Sequence, residues 1–507
     1  MRRVDRPLKG GGDRGPGRKE WTETYLGSEL RGFSAGAGEA AQKPSRLPGG
    51  RLPAEMMRAS DETKKGRWPM SFSENRRDFL KTAGLLGAGA VLTGPLAGKA
   101  WGQEKKPKKV KDEIKIGHIA IFSGSFGTYG ELQKRGSKLA EEEINQGEGI
   151  AGGKVKIIYK DSAANPSEAI KQARRLVQSE GCDYIIGIDS SGVVLGLSEV
   201  MPELDKLLFV THAATHNLTE KNVYEKGNRH VFRLCAPVYQ DGIMAGILAS
   251  KLPVTRWAGI HPDYEYGYAS WELFQKTLKK LRPDVEFVGK AWASIGTTDF
   301  KPHISSIMNK KPEGIHTVEW GIDLFTFVRQ ALQMGLFEAV KYKDGYAWVN
   351  PMGSSMDAME TLTNEYPEGC WVSGRYVWQY PPTPLNKHFV EAHYKRWKHF
   401  PAYSGATSYT AVYLIKKLIE MSGTLDVDTH IDLLENMALY TPMGALYLRK
   451  EDHQAIYDVP FGQLKRDPDY PIPVLTNFVG APAEMYYPRP PFTETPPFEG
   501  YPPFVKV

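Results

Sequence analysis

From Glu113 onward the chain alternates short apolar runs with amphipathic stretches, and the series occurs twice. "EIKIGHIAIF" (113–122), "KVKIIYKDS" (154–162), "CDYIIGID" (182–189) and "LLFVTHAAT" (207–215) read as strands, each a short apolar, β-branched run bounded by turn residues. Between them, "YGELQKRGSKLAEEEINQ" (129–146) puts Leu132, Leu139 and Ile144 on one helical face. "NPSEAIKQARRLVQSEG" (165–181) opens a second helix with Pro166 at its start and Ile170, Ala173 and Val177 on one side. After "FRLCAPVYQD" the helices "DGIMAGILASKL", "YGYASWELFQKTLKKL", "DFKPHISSIMNKK" and "DLFTFVRQALQMG" alternate with the strands "RWAGIHPD", "EFVGKAWA", "GIHTVEW" and "GYAWVNP". Strands joined by helices of this length form parallel sheets covered on both faces. The spacing therefore predicts an α/β protein of two doubly wound lobes.

In such sheets ligands sit beyond the carboxyl ends of the strands, where helix N-termini point. That singles out the loops "FSGSFGTYGE", "GIDSSGV", "VTHAATHN", "HPDYEYGY", "TVEWGID" and "VNPMGSS". They carry hydroxyls, glycines and aromatics, with few of the charged clusters that catalysis uses. "GIDSSG" is not a nucleophile elbow: Ile188 stands two residues before Ser190, and Asp189 two before Ser191. Taken alone, Ser190 is also an ordinary helix N-cap. His212 and His216 have i, i+4 spacing but lie on a strand-to-loop segment, so they read as exposed or hydrogen-bonded histidines rather than metal ligands. No metal site, cofactor motif or catalytic set is read from the chain, and a hydrolase is the disfavoured alternative.

The composition agrees. Of 507 residues, 41% are hydrophobic, enough for a substantial core. The net charge of +6 comes with basic runs near the N-terminus, so it is not a nucleic-acid footprint. Cys182, Cys235 and Cys370 have no metal spacing and read as small buried hydrophobes, although one disulfide among them stays open.

Residues 1–69 are rich in Gly, Arg, Pro and Ser without periodicity, and are expected to be disordered. "MSFSENRRDFLKTAGLLGAGAVLTGPLAGKAWG" follows, with Arg76 and Arg77 before Phe79, Leu80 and Lys81. Its apolar part, Ala83 to Ala97, is shorter than the roughly 20 residues that span a bilayer. The segment 70–100 resembles a twin-arginine export signal, with Asn75 where that pattern has Ser or Thr. Such a signal belongs at a terminus, so Met70 is the expected start and 1–69 an upstream extension. Residues 101–111 read as a linker. The tail 467–507, with "YYPRPPFTETPPFEGYPPFVKV" at its end, reads as a polyproline-like extension on the surface or in solution.

From about Asp112 to Lys465 the chain resembles periplasmic substrate-binding proteins of ABC importers, of the branched-chain amino acid type. The stretches that carry the resemblance are "IKIGHIAIFSGSFGTYGELQKRGSKLAEEEIN", "DSAANP" with its helix, "YIIGIDSSGV", "LLFVTHAATHNLTE", "HPDYEYGY" and "TPMGALYLRKEDHQ". The resemblance implies two lobes, 112–236 with 372–440 and 237–371 with 441–466. It also implies three crossovers, near Cys235–Val238, Gly369–Val372 and Tyr440–Gly444, and closure of the lobes over a ligand. It places the ligand carboxylate on Ser190, Ser191 and Thr215, with the Ala213–Ala214 backbone alongside. It makes Tyr129, Tyr266 and Trp320 cleft-lining aromatics. The family's acidic partner for a ligand ammonium is replaced by Pro351 and Met352 in "VNPMGSSMD", which leaves Glu319 or Asp357 as substitutes. The implied function is capture of a small polar or carboxylate-bearing solute in the periplasm, an amino acid, an aromatic or organic acid or an amide. Delivery would be to an inner-membrane permease, by a monomer. A sensor protein for a signalling partner is the alternative.

Overall fold

Ile114 and Ile116 point to one face of the first strand and Ile119 to the other, and all three are fully buried. This strand, β1 (Glu113–Ala120), is therefore covered on both sides, as the parallel reading requires. The computed structural model describes residues 109–494 and the short strand 505–506. The expected extension 1–69, export signal 70–100 and most of the linker lie outside the described residues.

The first lobe follows β1 with α1 (Gly127–Gln146), β2 (Lys154–Asp161), α2 (Pro166–Gln178), β3 (Tyr184–Gly187), α3 (Ser191–Leu204), β4 (Leu207–Val210) and β5 (Val231–Arg233). Its sheet is parallel, in the order β2-β1-β3-β4-β5. Helix α2 starts where its sequence signals: the Asn165 side chain accepts from the Glu168 N–H and Pro166 opens the helix. Ile119, Ile185, Leu208 and Val231 pack with Ala173, Leu176, Val194 and Leu197 as a separate outer core. The other face of the sheet joins a larger core that continues into the second lobe.

The second lobe starts with a wide helical turn (Gln240–Met244) that runs into α4 (Ala245–Ala249). It continues through β6 (Arg256–Pro262), α5 (Glu265–Leu281), β7 (Glu286–Ala293), α6 (Lys301–Met308), β8 (Gly314–Thr317) and α7 (Gly321–Gln333). Then come α8 (Leu336–Ala339), β9 (Lys341–Tyr342), β10 (Gly345–Asn350), α9 (Met356–Leu362) and β11 (Cys370–Val372). Its parallel strands run β7-β6-β8-β10-β11, the same winding as in the first lobe. The chain then returns to lobe 1 through α10 (Pro384–Trp397), α11 (Tyr403–Ser422) and α12 (Val427–Leu434), with α11 packed along α1. All three cysteines are buried and unbridged.

Two expectations change. The third crossover comes later than 440–444. Strands β12 (Ala438–Thr441), β13 (Gly444–Leu448) and β14 (Ala455–Ile456) form a small antiparallel sheet that stays beside lobe 1, tied by a bridge between Arg233 and Gln454. The chain enters the second sheet only at β15 (Phe461–Lys465), antiparallel to β11, because the 438–448 hairpin folds back first. The tail is also not a surface extension from residue 467. β16 (Val474–Gly480) pairs with β15, the short β17 (Val505–Lys506) pairs with β16, and Tyr486 and Tyr487 are fully buried. Pro471 and Pro473 precede β16 and Pro482 follows it, so the prolines punctuate the strand without interrupting its hydrogen bonds.

The three crossovers are bonded to one another. The Tyr457 hydroxyl accepts from the Ala236 N–H at 2.8 Å and donates to the Arg375 carbonyl at 3.3 Å, linking third, first and second. Gln454 donates to the Cys235 carbonyl, Gln240 to that of Val459 and Ser373 to that of Pro460.

Candidate functional site: the cleft between the lobes

Three strand ends of lobe 1 converge on Asp189. Its carboxylate accepts from the Ile121 N–H at 2.7 Å and from the Gln133 amide, and His212 Nδ1 lies 3.1 Å away. Just before it, Ile188 holds φ +71°, an outlier for a β-branched residue. Its N–H donates to the Ile119 carbonyl and its carbonyl accepts from the Ala213 N–H, which fixes the turn from both sides. The chain emerges into Ser190, the extended N-cap of α3, and Ser191, its first residue. Both are half-buried, and the Ser190 hydroxyl makes no capping bond. The ordinary capping role is thus not what its side chain performs.

Thr215, on the next strand's loop, is buried and its hydroxyl lies 3.3 Å from Glu265 Oε1 in the first turn of α5. Burial raises the Glu265 carboxyl and lowers the neighbouring His216 to about 4, so that imidazole is neutral near pH 7. Ala213 sits beside them with its main chain engaged: the N–H goes to Ile188 and the carbonyl accepts from the Cys235 thiol.

The aromatic wall joins both lobes. Tyr129, in the first turn of α1, donates its hydroxyl to Asp357 Oδ2 of α9 at 2.8 Å. Trp320, the N-cap of α7, packs 5.1 Å from the Phe126 ring and 5.4 Å from that of Tyr129, and donates its indole N–H to Tyr264. Tyr264 in turn contacts Tyr266, which is buried. Lobe 1 and lobe 2 side chains therefore touch directly, and the cleft is closed.

Glu319 is 1% exposed and its Oε1 has no hydrogen-bond partner among the described residues. Burial, reinforced by Asp323, pushes its carboxyl well above the ordinary range. Oδ1 of Asp357 and the hydroxyls of Ser354, Ser355 and Ser404 are also buried without partners among the described residues. Buried polar groups are normally satisfied, so their concentration on α9, its preceding loop and the start of α11 is unusual.

Sequence reasoning missed the residues at the base of the cleft. Arg375, on the second crossover, is buried, pairs with Asp241 at 2.5 Å and lies over the Tyr266 and Tyr403 rings at 5.4 and 5.6 Å. Burial opposes its charge, but Asp241 and the two tyrosines hold it above its ordinary value. Tyr403 meets His212 at 4.9 Å, which carries this contact chain into the lobe 1 wall. Arg375 and Asp241 are 134 residues apart in sequence, and no local motif marks either partner.

The structure thus brings Tyr129 and Trp320 together, sets Tyr266 beside Tyr264, and joins Thr215 to lobe 2 through Glu265. Ser190 and Ser191 stand on the lobe 1 wall at the α3 terminus. The arrangement offers hydroxyl donors at a helix start, an aromatic wall and buried acids.

A family model described as "Periplasmic binding protein" matches residues 113–469. The chain is 28% identical over 234 residues to an amino acid binding protein of Pseudomonas aeruginosa, spanning 46% of this chain and 61% of that one. It is 24% identical over 340 residues to the leucine-, isoleucine-, valine-, threonine- and alanine-binding protein of the same organism, spanning 66% and 85%. Among solved structures, an amino acid ABC transporter substrate-binding protein from Pseudomonas fluorescens superposes with a TM-score of 0.64 at 20% identity, covering 73% of this chain and 96% of that one. A solute-binding protein of an ABC transporter from Rhodopseudomonas palustris, in complex with 3,4-dihydroxybenzoic acid, gives 0.64 at 19%, covering 72% and 97%. With the family model spanning both lobes and the two windings repeated in three dimensions, the chain belongs to the periplasmic binding protein family.

Proposed function

We propose that this protein is an extracytoplasmic solute-binding component of an ABC importer. It closes its two lobes on a small polar or carboxylate-bearing molecule, an amino acid, an aromatic or organic acid or an amide, and delivers it to an inner-membrane permease. The observation that carries this reading is direct contact of the two walls at Tyr129–Asp357 and Trp320–Phe126. A cleft that closes on itself over unpaired hydroxyls and acids suits capture and release rather than bond-making.

In this reading Ser190, Ser191 and Thr215 receive the anionic end of the ligand, hydroxyls at a helix start forming a neutral anion site. Ala213 buttresses them. Tyr129, Tyr266 and Trp320 cover the ligand body, and Glu319 faces its polar or cationic end. The protein reaches the periplasm by the twin-arginine route and works as a monomer without metal or cofactor.

A thermal-shift screen of amino acids, benzoates, short-chain acids and amides tests the reading. A ligand at 100 times its dissociation constant adds about 2.7 kcal/mol of stability. The double change Ser191→Ala with Thr215→Ala is expected to abolish the shift. An unchanged shift in the double variant rejects the anion cradle, and ester or amide turnover by the native protein rejects the transport role.

A further inference from the structure

The chain past residue 469 lies beyond the match to the family model, yet it is built into the hinge. Strand β16 belongs to the second lobe's sheet. Within it, the main chain of Leu475 makes two hydrogen bonds with the Gln379 side-chain amide, at 3.1 and 3.2 Å. Gln379 is on the second crossover. Beyond the strand, the Ala483 N–H donates to Asp458 on the third crossover at 2.8 Å. Tyr486 donates its hydroxyl to Gln240, just past the first crossover, and Gln240 itself holds the Val459 carbonyl. The Tyr487 ring, fully buried, lies 6.0 Å from Tyr239. Finally Phe492 packs edge-on against Tyr224 of the first lobe, with centroids 5.6 Å apart. The segment begins on lobe 2, bonds at all three crossovers and ends on lobe 1.

We propose that residues 474–492 act as a strap across the hinge, a fourth link that holds the lobes in their closed arrangement and sets how readily they open. Hinge opening changes backbone angles in the crossovers. The strap bonds to Gln379, Asp458 and Gln240 at the crossovers in their closed geometry, with β16 fixed on lobe 2 and Phe492 resting on lobe 1, so opening must break or strain these contacts. A ligand binding to a strapped protein meets a larger closed fraction, and its apparent affinity rises by that factor.

Ligand-free, the full chain carrying spin labels at Lys171→Cys on α2 and Lys276→Cys on α5, both exposed positions of opposite lobes, tests this by the inter-lobe distance distribution. The full chain is expected to give one short-distance population. Truncation after Gly480, which keeps β16, is expected to raise the long-distance population several-fold. Tyr486→Phe, which removes one hydroxyl from an otherwise intact chain, is expected to move it in the same direction and carries the test if the truncated chain fails to fold. A folded truncated protein with the distribution of the full chain overturns the strap, even if its melting temperature falls. So does an unchanged distribution in Tyr486→Phe when truncation unfolds the chain.

Discussion

Gly136 of α1 and Gly405 of α11 meet backbone to backbone: a β-carbon on Gly136 would stand 1.9 Å from the Gly405 carbonyl oxygen. The two longest helices of lobe 1 cross there, and the obstacle is main chain that cannot rotate away. Gly136→Ala is expected to destabilise the protein by about 3 kcal/mol or more, overriding the ~1 kcal/mol that alanine gains over glycine in a helix. Gly192, also helical, has nothing among the described residues within 4 Å of the place a β-carbon would take, and Gly192→Ala is expected to stabilise by ~0.5–1 kcal/mol. Urea unfolding of both variants checks the opposite signs.

Tyr129→Phe removes the hydroxyl that links the walls and leaves both oxygens of Asp357 without a partner among the described residues. The loss of one hydrogen bond to a charged group, about 1.5–3 kcal/mol, corresponds to a roughly tenfold or greater fall in apparent ligand affinity if closure depends on it. Calorimetric titration with whichever solute emerges from the thermal-shift screen measures it. Affinity equal to that of the native protein counts against a role for this bond in closure.

Glu319 links pH to stability. Its folded carboxyl titrates well above its unfolded value, so the folded state holds a proton that the unfolded state releases above about pH 4.5. Stability is then full below pH 4.5 and falls by up to about 1.4 kcal/mol per pH unit as pH rises toward the folded value. Glu319→Gln keeps the shape and removes the titration. The ligand-free variant is expected to match the native protein at pH 4 and to melt higher at pH 8. A uniform shift at both pH values contradicts this account.

The buried histidines act with the other sign. Burial holds His118 and His216 near 4 and His316 and His393 near 3, so these rings are neutral when folded but become charged in the unfolded chain below about pH 6.5. Their contribution is complete above pH 6.5 and is lost as pH falls. Burial lowers His230, His261, His430 and His453 as well, whereas Glu220, raised to about 7, and the raised Asp241, Glu265 and Asp323 oppose them over part of the range, so eight histidines stand against four acids. The urea midpoint of Glu319→Gln, free of that acid's influence, is expected to fall between pH 6.5 and 4.5.

Much of the scaffold was legible because it rests on local rules. Asn165 and Pro166 announce α2, and the apolar runs at 184–187 and 207–210 become central parallel strands. The contact between Tyr129 and Trp320 was not legible, since it forms only when the strand-to-helix turns of the two lobes face each other. Nor was the base of the cleft, since Arg375 and Asp241 find each other only through the tertiary fold. The tail misled for a physical reason: proline density around 471–491 signals extended chain, whereas the prolines fall between the buried contacts of Leu475, Ala483, Tyr486 and Tyr487. The helix N-cap at Ser190 was legible, but not that its hydroxyl leaves the helix uncapped.

Ile188 gives that last point its weight. A β-branched residue held at positive φ costs about 1–3 kcal/mol, and here two main-chain hydrogen bonds keep it in place. The strain is borne when the chain folds, before any solute arrives. In the proposed anion cradle, Ser190 and Ser191 are thus preorganised, and a ligand docking there would not have to supply the free energy of ordering the turn.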